Sequence, residues 1–206
     1  MTNEKSFKDD RFLSGSLALD LVNTEMIVRG KKQDLFTSPD DLAQWWQVAC
    51  AYHPEHENIV GDGTPFVWTT ELLEEVKAFR QSLRLLCTGL VEDPLITSPD
   101  LTMLNQMLAL GYQLAQVTPQ GTIMAIYRVY DEQKGRILLP IALSALRLLT
   151  EGERSRLHKC KNDRCILFFY DTSKGGSRQW CSLGCLNRAR SIYHYRQQRS
   201  TGSHPL

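Results

Sequence analysis

CKNDRCILFFYDTSKGGSRQWCSLGCLNRARSIYHYRQQR, residues 160–199 of a 206-residue chain, sets two close cysteine pairs around a turn-rich middle and follows them with a basic tail. Four residues separate Cys160 from Cys165, fifteen separate Cys165 from Cys181, and three separate Cys181 from Cys185. Structural zinc takes four soft ligands in a tetrahedron, and two short loops that each present paired thiolates supply them with little chain strain. Cysteine fills all four positions, leaving none for water, so the zinc expected at Cys160, Cys165, Cys181 and Cys185 is structural and not catalytic. Disulfides are the competing use of such cysteines. The opening residues MTNEKSFKDD lack the apolar middle of a secretory signal. That predicts a cytoplasmic chain, and in a reducing compartment this spacing favours metal.

Charge is unevenly distributed around the cysteines. From Arg154 to Arg199 there are 11 Lys and Arg against two acids, Asp163 and Asp171, a net +9, while the rest of the chain is net −8, for a total of +1. A basic segment on an otherwise acidic chain points to an anionic partner. Leu186 to Arg199 reads as a helix on which Arg188, Ile192, Tyr195 and Arg199 fall in a narrow arc, with Arg196 beside them. Arginines interleaved with tyrosine contact phosphates and stack on bases. DNA is therefore the expected partner, through Arg178, Arg188, Arg190, Arg196 and Arg199. RNA in its place, or docking of the basic face on protein, are the alternatives. No run approaches the roughly 18 apolar residues of a membrane span.

Upstream, the pattern predicts a mainly α fold with a minor β-hairpin, residues 1–152 forming one domain and 153–206 the cysteine module with its basic helix. Ser38-Pro39-Asp40-Asp41 is a helix start followed by Leu42, Trp45, Trp46 and Ala49. Leu72, Val76, Phe79, Leu83 and Leu86 mark a helix from Thr69 or Thr70 to about Cys87. Ser98-Pro99-Asp100 starts another, expected to end at Gly111. YQLAQV and TIMAIYRVY alternate around TPQG as a hairpin. Ile137 to Leu149 returns to helix, with Pro140 tolerable in its first turn. Residues 11–24 suit a helix or a strand equally. His53 and His56, in a loop, are expected at the surface. Cys50 and Cys87 read as small buried hydrophobes. The sequence leaves a homo-oligomer open.

Asp20, Asn23 and Thr24 are polar groups among apolar ones and must find hydrogen-bond partners, as caps or loop ties, or else by facing a ligand. Arg80, beside the apolar stripe of its helix, is either salt-bridged or directed at an anion in a pocket. No nucleophile with a base, phosphate loop or catalytic metal motif is present, so an enzyme acting on a small anion at Asn23, Arg29 and Arg80 is the weakest reading.

The residues Cys160, Cys165, Phe168, Asp171, Trp180, Cys181, Cys185, Asn187 and Arg188 resemble the CGNR zinc finger of bacterial regulators. LALDLVNTE, with Arg29 and SPDDLAQWW after it, is similar to the opening of ABATE domains, a family of stress-induced transcription regulators. The chain departs from the finger's signature at Leu186, where the family has glycine. What the resemblance implies is a finger that binds DNA and an N-terminal domain that senses a small ligand, with Asp20, Asn23, Thr24 and Arg29 lining its pocket and Arg80 a further candidate.

Overall fold

A computed structural model describes residues 15–54, 59–60, 65–92 and 96–201. Its centre is α1, Leu17–Val22, whose six residues are all buried. A helix that is apolar on every side must be enclosed, and α1 is packed between α3 (Thr70–Glu92) and α5 (Gly135–Thr150). Two serines fix its start: Ser144 Oγ lies 3.1 Å from Ser16 Oγ and accepts from Ala18 N at 3.2 Å. The polar residue inside α1, Asp20, meets His53 Nε2 at 2.7 Å. His53 closes α2 (Pro39–Tyr52) and is buried, which corrects its expected surface position. Burial follows from its role as the partner that Asp20 needs. His56 lies outside the described residues.

After α1 the chain forms a hairpin that the sequence reading did not separate from its surroundings, β1 (Glu25–Val28) and β2 (Lys31–Asp34), in antiparallel register from Glu25↔Asp34 to Val28↔Lys31. The start of α2 is as read: Ser38 and Asp41 form a reciprocal capping box with Pro39 in the first turn. Trp45 is buried, edge-on to Phe36 at 5.6 Å, while its neighbour Trp46 is only half-buried. The longest helix, α3, continues to Glu92, beyond the expected Cys87, because Leu90 still packs on the core. Cys87 is buried, and burial pushes its thiol up to about 12, so it is inert. Cys50 is half-buried.

Ser98–Leu101 forms a 3₁₀ turn capped by Thr97 and Asp100, and α4 (Thr102–Leu108) follows. Gly111 does not end that helix but opens β4 (Gly111–Val117), since a Cβ there would lie 2.4 Å from the Arg128 carbonyl oxygen. The expected hairpin pairs β4 with β5 (Ile123–Val129), and β3 (Ile59–Val60) adds to β5 in parallel. Because α5 begins at Gly135, Pro140 falls in its second turn, later than expected.

The cysteine segment carries a short hairpin, β6 (Leu157–Lys159) with β7 (Phe168–Tyr170), and the long α6 (Leu183–Thr201). Mainly α architecture with small hairpins is thus the observed fold.

Candidate metal centre and its junction with the helical core

Local turns bring the four thiols together. Cys165 N donates to the Asn162 carbonyl at 2.8 Å, folding Cys160–Cys165 into a tight knuckle against β7. The second pair straddles the start of α6: Cys185 lies in its first turn, where Ser182 Oγ accepts from Cys185 N at 3.3 Å. The four Sγ atoms lie within 4.8 Å of one another. Cys165 and Cys181 are 3.7 Å apart and Cys181 and Cys185 3.6 Å, too long for disulfides. A tetrahedron with Zn–S near 2.3 Å has edges of about 3.8 Å, so the donor set fits a four-thiolate zinc.

Electrostatics point the same way. Hydrogen bonds from Cys165 and Cys181 hold the Cys160 thiol well below its ordinary value, and Cys160 in turn pushes both of those thiols up. Four thiolates this close ionise together only around a cation.

Asn162, which the sequence reading did not single out, ties the two knuckles: its Nδ2 donates to the Cys185 carbonyl at 3.2 Å and its Oδ1 accepts from Arg164 N at 3.0 Å. Its signal was an Asn-Asp turn inside the first cysteine loop. Asp171 is buried and braces the longer loop, accepting from Ser173 N and Arg178 N, each at 2.8 Å. Bonds from Ser173 first, then from the Arg178 backbone, hold its carboxyl at about 2, against an ordinary 3.8.

The apolar side chains between the cysteine pairs divide between two cores. Phe169, Leu167 and Trp180 pack on the cysteines, but Phe168 joins the main core together with Leu157. The reason is alternation along β7, which turns successive side chains to opposite faces.

Of the residues expected to meet DNA, Arg178 is committed to the finger. Its guanidinium lies 4.7 Å over the Phe169 ring and donates to the Trp180 and Cys181 carbonyls. Arg188 and Arg190 are exposed on α6. Arg196 and Arg199 lie on the same helix, their side chains outside the described residues. Leu186, in place of the signature glycine, is an ordinary helical residue bonded through its N–H to Ser182.

The residues expected to face a ligand are not gathered in one pocket. Asp20 is held by His53. Asn23 Oδ1 accepts from Phe168 N at 2.9 Å and its Nδ2 donates to the Phe168 carbonyl at 2.8 Å, so α1 pairs with β7 of the finger. Thr24 Oγ1 accepts from Arg80, whose two terminal nitrogens also grip the Asp34 carboxylate at 2.7 and 2.6 Å. Burial pushes the Asp34 carboxyl up, but the Arg80 bonds outweigh it and the net shift is downward. Arg29 is exposed at the tip of the β1–β2 hairpin.

One turn beyond Arg80, Arg84 donates to the carbonyls of Val22, Glu25 and Ile166, joining α1, β1 and the finger at one guanidinium. The sequence reading did not mark it; its signal was position i+4 from Arg80 on the same helix flank.

Residues 15–152 match the family model ABATE, described as a putative stress-induced transcription regulator, and residues 156–198 match the CGNR zinc finger. No characterised protein matches the chain. With the match covering most of its length and four thiols at zinc geometry beyond it, this chain belongs to the ABATE family and carries a CGNR zinc finger.

Proposed function

We propose that the finger binds duplex DNA through α6 and that the helical domain senses a small apolar ligand. The observation that carries the DNA reading is where α6 begins: its first turn holds the zinc ligand Cys185, and Arg188 and Arg190 follow at once, exposed and with no partner among the described residues. Zinc therefore anchors the helix end from which the cations project. Among the described residues α6 makes no extensive contact with another helix or strand beyond that turn, and Tyr193 and Tyr195 are exposed. Arg196 and Arg199 extend the same basic helix, and Arg178 acts as a brace that holds the second knuckle.

A salt titration of zinc-loaded protein on a labelled duplex tests this reading. Binding should weaken linearly in log–log form, and Arg188→Ala with Arg190→Ala should lower the slope by about 1.8, two contacts at roughly 0.9 each. A salt-independent affinity, or a pair of substitutions without effect, rejects it in favour of protein docking.

For sensing, support comes from a cavity of about 320 Å³ lined largely by Leu90, Leu101, Leu104, Leu149, Leu157 and Tyr170. It has the size and apolar lining of small-molecule sites, and it is walled by both the helical domain and the finger's hairpin, so an occupant would touch both. Indole as probe should raise the melting temperature of the protein, by mass action, and should lose that effect on Leu101→Trp, which fills the cavity. Equal shifts in both proteins would place the binding elsewhere.

A further inference from the structure

We propose that the β1–β2 hairpin is a second nucleic-acid contact, with Arg29 and Lys31 at its tip binding backbone phosphates of the duplex that α6 engages. The proposal rests on the DNA reading above and extends it from the finger to the ABATE domain.

Position is the first support. Met26 and Ile27 of β1 form one wall of a cleft of about 330 Å³ whose other wall includes Arg164, Cys185 and Arg188. Arg29 follows Ile27 by two residues, roughly 7 Å further along the strand at about 3.3 Å per residue. The hairpin tip therefore continues the strand that faces the start of α6 across the cleft.

Charge is the second. Arg29, Lys31, Arg164 and Arg188 are all exposed, and none of their charged groups has a partner among the described residues. Lys32 differs, because it pairs with Glu25 at 3.0 Å. Two of these cations, Arg164 and Arg188, line the cleft, and the other two, Arg29 and Lys31, sit at the tip of the hairpin whose first strand forms its opposite wall. The tip is an island of positive charge on the acidic part of the chain, where a solvated face would more naturally carry acids.

Conformation is the third. Arg29 has φ 51° and Gly30 φ 79°, so both central residues of this two-residue turn occupy the left-handed region, the type I′ pattern. Asparagine or glycine suits the first of these positions, and arginine is strained there. The β1–β2 register imposes this turn, and an arginine held in the left-handed region is the kind of observed outlier from which a functional hypothesis is drawn.

Mounting is the fourth. The base of the hairpin is clamped where β1 and β2 meet, since Arg80 grips Asp34 and lies 3.5 Å from Glu25, and Arg84 lies 3.3 Å from the other Glu25 oxygen. Buried Arg80 and half-buried Arg84 hold the hairpin at a fixed angle, so its tip meets a phosphate with little ordering cost.

The test uses full-length, zinc-loaded protein and a short labelled duplex of mixed sequence, comparing wild type with Arg29→Asn, Lys31→Gln and the double variant. Because asparagine fits the turn better than arginine, Arg29→Asn should keep or raise the melting temperature, which separates binding from folding. The double variant should bind roughly 10- to 60-fold more weakly at about 0.1 M salt, with a salt slope lower by about 1.8. If wild type binds and the double variant matches it in affinity and slope, the hairpin contact is overturned and the α6 reading stands. Weaker binding with an unchanged slope also overturns it, because phosphate contacts must change the slope. If wild type does not bind the duplex at all, both readings fall.

Discussion

Asn23 does the work of a stretch of backbone, because its amide gives Phe168 the acceptor and donor that a neighbouring strand would supply. Removing it leaves two half-buried main-chain groups unpaired, at about 1–3 kcal/mol each when fully buried. Asn23→Ala should therefore lower stability by about 2–4 kcal/mol, seen in urea unfolding as a lower midpoint with unchanged slope. Asn23→Asp should fare no better, since it sets a negative charge against the Phe168 carbonyl. A loss under about 0.5 kcal/mol would show that the junction is held elsewhere. Sequence alone identified Asp20, Asn23 and Thr24 as polar groups in need of partners, and left open whether those partners were protein or ligand. What it could not supply was the partner, which for Asn23 lies 145 positions along the chain. His53 was misplaced for the same reason. Its loop looked polar and solvent-facing, and the buried carboxylate that draws it inward belongs to a helix that precedes it by 33 positions.

At the level of elements, legibility followed the range of the interactions that decide each boundary. Serine-proline-acid starts are local, and α2 begins where its cap stands. Ends were harder. The expected end of α3 at about Cys87 fell short, because the packing of Leu90 on the core carries the helix past Gly89. The β1–β2 hairpin was missed because two four-residue strands with KKQD in one of them carry little alternation. Its turn signal, Arg29-Gly30, departs from the Asn-Gly form that marks type I′ turns. The cysteine cluster was the most legible element, since coordination chemistry fixes both the residue type and the spacing. The helix that follows was legible as basic and helical, while the role of Arg178, before that helix, as a brace depended on Phe169, a ring that only the folded finger sets beneath it.

Across the whole molecule, the finger and the helical core share interior. Leu157 and Phe168 belong to the core of the N-terminal helices, and Asn23 and Arg84 hold the chain from Ile166 to Phe168, immediately after the ligand Cys165. Loss of zinc therefore cannot remain local. Without it a small apolar cluster and a few hydrogen bonds, chiefly that of Asn162, are left to close the two knuckles, and a structural site of this kind contributes folding energy directly. As β7 loosens, the core loses the burial of Phe168 and Leu157, about 1.5–3 kcal/mol each. For a chain this long, 1 kcal/mol corresponds to about 2–4 °C in melting temperature, so chelation should lower the midpoint by about 10 °C. Far-UV circular dichroism, which reports chiefly the helices, should show that shift as one cooperative transition, with α6 and the core melting together. A helical transition left where it was, with only a separate minor one lost, would mean that finger and core are independent and that the Asn23 and Arg84 bonds carry no coupling. Under the proposed sensing role a signal would take the same route, because an occupant of the cavity beside Leu157 and Tyr170 would act on the same β6–β7 hairpin that links the zinc knuckles to the helices.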